Sequence, residues 1–251
     1  MDTAIAEIER GGRVESRHAG TAVVVDADGD VVFALGDIAL PTYPRSAVKA
    51  FLALPLVESG AAERLGLDDE ELALACASHN GEPAHVAGAA RMLGRAGRHV
   101  SCLECGTHWP TNADAAHALA RSGGAPNALH NNCSGKHAGF ICLACDRDED
   151  PAGYIQPAHP IMREVTAALA DVTDAAHGED NRGIDGCSIP TYAIPMRALA
   201  HGFARFGTGH GLGRERARAA ARLRAAVANA PFMGGGSGRF DRVLMQALGP
   251  A

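Results

Sequence analysis

Lysine is almost missing from this chain: there are two, Lys49 and Lys136, and beyond them positive charge is carried by arginine. No concentrated basic block accompanies the formal net charge of -6, which argues against nucleic acid as a partner. No run of ~18 apolar residues occurs, so no membrane-spanning helix is expected. The opening residues, Met1-Asp2-Thr3-Ala4-Ile5-Ala6-Glu7, lack the basic stretch and apolar core of a signal peptide. There is no internal repeat and no long linker. The glycine-rich Gly234-Gly235-Gly236-Ser237-Gly238 has neither the lysine nor the strand–helix setting of a phosphate loop. Seven scattered cysteines, an odd number, make a disulfide framework a poor reading and suit reduced thiols or metal ligands. What is present, 251 residues with 47% hydrophobic content, suits a globular, soluble, cytoplasmic protein with a substantial core.

Two β-rich runs, Thr21–Val25 and Val31–Leu35, flank Asp26-Ala27-Asp28-Gly29-Asp30 and predict a hairpin. Pro41-Thr42-Tyr43-Pro44 leads in extended form to a helix that starts near Ser46 and stops at Ser59-Gly60. Asp68-Asp69-Glu70-Glu71 puts acids at the positive end of a helix reaching about Ala75. Further helices are expected over 83–96, 112–121, 159–170, 195–205, 212–228 and 239–247, with another carrying Cys142 and Cys145.

Chemistry concentrates in a few places. In Arg45-Ser46-Ala47-Val48-Lys49, serine and lysine lie three residues apart, on one face of a helix turn, so the amine can reach the hydroxyl. Lysine serves as a base toward serine when burial or a neighbouring positive charge lowers its pKa. The same spacing also suits a helix-capping serine followed by a solvated lysine. Ala77-Ser78-His79-Asn80-Gly81-Glu82 packs polar residues between two helices, as an exposed functional loop or as a capping cluster would. Leu129–Phe140 is dense in reactive side chains, and Gly183–Pro190 is a second such loop. The pairs Cys102-x-x-Cys105 and Cys142-x-x-Cys145 raise a zinc ribbon, yet the second lies in an apolar helical run where cysteine acts as a small hydrophobe. Cys133 and Cys187 instead sit in glycine-flanked polar loops, and a metal joining them would use thiolates, for which zinc is suited.

These motifs, with Glu104-Cys105-Gly106-Thr107-His108-Trp109-Pro110, His130-Asn131-Asn132-Cys133-Ser134-Gly135-Lys136-His137 and Gly183-Ile184-Asp185-Gly186-Cys187, occur in an order and spacing that resembles the rhizobial-type L-asparaginases of the asparaginase II family. The resemblance implies a serine β-lactamase-like α/β fold, with an antiparallel sheet packed by helices beside a helical region. It implies hydrolysis of L-asparagine to L-aspartate and ammonia by a single asparaginase-like domain over 1–251 and a homodimeric assembly. By the same carry-over, Ser46 and Lys49 form one Ser–Lys tandem and Ser78 is the serine of a second. Cys133, Lys136 and Cys187 become ligands of a zinc ion beside the substrate, which Arg45, Asn80, His137 and Asp185 line.

Members of that family continue past a Gly-Arg-Phe-Asp helix into strands, the first bearing a Lys-Thr-Gly sequence whose lysine partners the second serine. Here Gly238-Arg239-Phe240-Asp241 is present and no lysine follows. The expectation is therefore a domain short of its last strands, with Ser78 lacking a lysine, little asparaginase activity, and an unpaired hairpin at residues 21–35. Other readings are a glutaminase or β-lactamase-like acyl hydrolase, since Ser-x-x-Lys is shared, and, in another class, an inactive zinc-binding fragment.

Overall fold

The structure is a computed structural model and describes residues 3–248; Gly249-Pro250-Ala251 lie outside the described residues. The chain opens with an antiparallel hairpin, β1 (Thr3–Arg10) and β2 (Arg13–Gly20). Gly11 and Gly12, at φ 59° and 73°, form its two-residue turn, a conformation that glycine adopts without steric cost. A second hairpin, β3 (Ala22–Val25) and β4 (Val31–Leu35), matches the predicted one. The short β5 (Pro41–Thr42) then leads to the expected helix near Ser46, which is broken into three pieces. They are a 3₁₀ turn over Arg45–Val48, α1 (Lys49–Leu52) and α2 (Leu54–Glu58). Pro55 inside the run lacks an N–H and favours a fresh helix start, which accounts for the break.

Helices α3 (Ala61–Arg64), α4 (Asp69–Ala75), α5 (Pro83–Arg95), α6 (Ala113–Arg121), α7 (Ser134–Asp146) and α8 (Pro160–Thr173) follow. Asp68 and Glu71 close a capping box on α4, each carboxylate accepting the other residue's N–H at 2.9 and 3.0 Å. Three short strands, β6 (Arg182–Ile184), β7 (Pro190–Tyr192) and β8 (Ile194–Pro195), precede α9 (Met196–Thr208), α10 (Arg214–Asn229), α11 (Pro231–Gly234) and α12 (Phe240–Leu248).

The expected single antiparallel sheet is not what the described residues form. They make four two-stranded ladders: β1–β2, β3–β4, β5–β8 and β6–β7. All are antiparallel, so the α/β character stands while the core belongs to helices. At its centre is α7, buried on every side from Ser134 to Ala144, as a helix without a polar face must be. It packs on α4 and α5. A side chain at Gly135 would collide with the Leu74 carbonyl, so glycine lets the first turn of α7 press against the end of α4. That contact brings Cys133 and Lys136 beside the loop that begins with Ala77. No helix among the described residues is long and apolar enough to cross a membrane.

Candidate active site

Both lysines are buried at this junction, Lys49 at 1% exposure and Lys136 at 2%. Lys49 Nζ donates to the Ala77 carbonyl at 2.6 Å and to the Asn132 carbonyl at 3.1 Å. Burial lowers its pKa, Lys136 lowers it further, and Cys133 opposes both. The two carbonyls fix the position of the amine. Among the described residues no hydrogen bond joins Lys49 to Ser46, although the two are three residues apart. The amine thus turns to the Ser78 side of the junction. The amine is held by carbonyls 28 and 83 residues away rather than by its neighbour on the same turn.

Ser78 is half-buried, and its Oγ accepts from Asn132 Nδ2 at 3.0 Å. Asn132 is itself fixed by its backbone N–H, which donates to His108 Nε2 at 2.9 Å. His108 Nδ1 lies 2.7 Å from the Trp109 carbonyl, which places the ring proton there and leaves Nε2 as the acceptor. Ser78, expected to stand without a lysine, is therefore joined through Asn132 to Lys49. Sequence reasoning quoted Asn132 and His108 within motifs and gave neither a task. Their signal was the density of polar residues around Cys133.

Behind Ser78 lies His79, 1% exposed, with Nδ1 accepting the Gly81 N–H at 3.1 Å and Nε2 donating to Ser134 Oγ at 3.0 Å. Burial, then His85 and Lys49, holds it well below the ordinary histidine range, so it is neutral. Asn80 has both ends of its amide engaged: Nδ2 donates to the Ser237 carbonyl at 3.0 Å and Oδ1 accepts from Thr111 Oγ1 at 3.3 Å. These bonds anchor the loop, and they occupy the groups that the substrate-lining expectation would use.

The thiols complete the cluster. Lys136 Nζ lies 3.0 Å from Cys187 Sγ. The neighbouring Cys187, Lys136 and Lys49 draw Cys133 down to about 5 against its burial, whereas Cys133 and burial push Cys187 up to about 11. The turn carrying Cys187 is closed by Ser188 N–H on the Asp185 carbonyl at 2.9 Å, with Ser188 in the left-handed region at φ 74°. Arg45, also left-handed at φ 49°, donates through Nε to Asp185 Oδ1 at 2.9 Å. Burial would raise the Asp185 carboxyl, but the Gly186 N–H and Arg45 outweigh it and hold the group below the usual carboxylate range.

His137, fully buried, places Nδ1 2.6 Å from the Tyr154 hydroxyl, which also accepts the Glu104 N–H at 2.9 Å. Its pKa falls to about 4, chiefly through burial. Its Nε2 lies beside Cys187 and has no hydrogen-bond partner. Two thiols, an amine and this orphaned ring nitrogen are donor types that suit a soft cation. Among the described residues no three His, Cys, Asp or Glu side chains form a metal-binding group, so a metal here would depend on the lysine.

A search of curated proteins gives no match to this chain. The family model for L-asparaginase II matches residues 6–251, nearly the whole sequence. It spans every group described above, from Arg45 to Ser237, and the chain belongs to the L-asparaginase II family.

Proposed function

We propose that the chain hydrolyses the side-chain amide of L-asparagine to L-aspartate and ammonia through an acyl-serine intermediate. The observation that carries this reading is Lys49: a buried amine, tied by two carbonyls, at the meeting point of both serine segments. Ser46 is the attacking hydroxyl, half-buried and without a competing partner, while Ser78 Oγ is already held by Asn132. Ser46 Oγ forms the bond to the amide carbon as its proton passes to Lys49 Nζ. Lys49 returns that proton to the departing nitrogen, which leaves as ammonia. Water, deprotonated by the same amine, then cleaves the ester and frees Ser46. Ser78 and the Asn132 amide stand ready to stabilise the charge that develops on the carbonyl oxygen. Arg45 and Asp185 present opposite charges suited to the carboxylate and ammonium of an α-amino acid.

Cys133, Lys136 and Cys187 would hold zinc, whose positive charge supplies substrate orientation when bound. The decisive experiment measures ammonia release from L-asparagine by the wild-type chain and by Lys49→Ala, beside L-glutamine and a penicillin-type substrate. Turnover of asparagine that disappears in Lys49→Ala is the expected result. Preferential turnover of glutamine or the penicillin would replace asparagine as the substrate. No turnover of any would leave the zinc-binding reading.

A further inference from the structure

The glycine-rich stretch near residue 236, which as sequence has no evident task, lies against the loop that carries Ser78. Phe232 to Ser237 bond to that loop repeatedly. The Phe232 carbonyl accepts from His85 Nε2 at 3.1 Å, and the Gly235 carbonyl accepts the Asn80 N–H at 3.0 Å. Ser237 donates its N–H and its hydroxyl to the two oxygens of Glu82 at 2.7 and 2.8 Å, and its carbonyl accepts from Asn80 Nδ2 at 3.0 Å. The rings continue the support. Phe232 stacks on His85 at 5.0 Å between centroids, and His85 stacks on His79 at 4.8 Å. Gly236 makes the approach possible: its φ is +113°, and a Cβ there would strike Glu82 Oε1 and come within 2.9 Å of Asn80 Nδ2.

We propose that Glu82 and Ser237 are positioning residues for Ser78, and that Phe232–Ser237 is a strap bracing the Ser78 loop opposite Asn132. The proposal rests on the reading that Ser78 serves amide hydrolysis. Asn132 holds the serine oxygen from one side. The strap fixes the backbone of the residues immediately after it. A loop braced on both sides keeps a hydroxyl within the small tolerance that catalysis requires.

Ser237 is exposed, so Ser237→Ala removes one hydroxyl from the surface and leaves the core intact. Hydrogen exchange over residues 78–82 and kcat and KM for L-asparagine should be measured in wild type, Ser237→Ala, Ser237→Thr and Glu82→Gln. In Ser237→Ala we expect faster exchange in that peptide and kcat lowered about tenfold with KM nearly unchanged, the effect of one lost bond to a charged group. Ser237→Thr, which keeps the hydroxyl, should restore both, and Glu82→Gln should fall between. Wild-type exchange and kcat in Ser237→Ala would overturn the proposal, as would a threonine variant as impaired as the alanine one. Should the wild type release no ammonia, the functional reading fails on its own, and exchange alone decides whether the strap braces the loop.

Discussion

The two serine segments are built differently. Ser46 sits on a 3₁₀ turn behind a left-handed Arg45, and its surroundings are a surface ion pair and a short helix. Ser78 sits between a half-buried asparagine on one side and a histidine stack with a glycine strap on the other. Lys49 belongs to the first segment by sequence and to the second by hydrogen bonding. The difference teaches that a sequence tandem names the members of a site without naming their pairing. Here Lys49 lies three residues from Ser46 in the chain, while its amine is bonded to the carbonyls of Ala77 and Asn132 beside Ser78.

The most damaging way to break this comparison is to remove what the two segments share. Lys49→Ala should lower kcat for asparagine by about 10³-fold, within the range for loss of a positioned base. Lys49→Arg should not rescue it, because a guanidinium stays charged and cannot accept a proton. The serines come next. Ser46→Ala should abolish a covalent adduct trapped by acid quench and mapped by mass spectrometry, whereas Ser78→Ala should retain it with kcat about 10²-fold lower. An adduct on Ser78 would reverse the assigned roles.

A smaller effect separates side chain from backbone. Asn132→Ala deletes the N–H on Ser78 and keeps the carbonyl that holds Lys49, so kcat should drop about tenfold. An undiminished rate would show that the Ser78 oxygen needs no such donor. For the thiols, Cys133→Ser and Cys187→Ser should each lower bound zinc by elemental analysis, and Lys136→Ala should weaken retention less than either. Unchanged zinc in both cysteine variants would remove these residues as ligands.

The mildest test uses acid, since the Ser78 side leans on neutral histidines and the Ser46 side does not. His79 and His85 have pKa values held below 6.5, first by burial. The unfolded chain binds protons there before the folded one does, so stability present above pH 6.5 is lost as the pH falls. Each such histidine contributes up to about 1.4 kcal/mol per pH unit below that point. Thermal melts should show Tm declining below pH 6.5, with hydrogen exchange of residues 78–82 rising before that of residues 45–49. Simultaneous loosening would show that the two segments open as one unit.

Much of the frame was legible because local physics decides it. The valine runs on either side of Asp26–Asp30 make the second hairpin wherever they are placed, and Asp68 with Glu71 caps α4 from its own turn. The first hairpin had a comparable signal in Gly11-Gly12 between two strands, and its charged residues masked the alternation. The site was legible as a list of residues, since Lys49, Ser78, Cys133, Lys136 and Cys187 do converge. Its wiring was not. Lys49 chose carbonyls 28 and 83 residues away, and such partners leave no local trace. The strap was hidden for the opposite reason: glycines that permit a close approach look, in sequence, like glycines that merely bend a loop.

The burial of both lysines has a consequence for handling the protein. In the folded chain every lysine amine is enclosed, and the exposed cations among the described residues are guanidinium groups. Reagents that acylate primary amines therefore find neither lysine in the folded chain. Any acylation of Lys49 or Lys136 records an opening of the core, which makes an ordinary labelling reagent a clock for how often the site breathes.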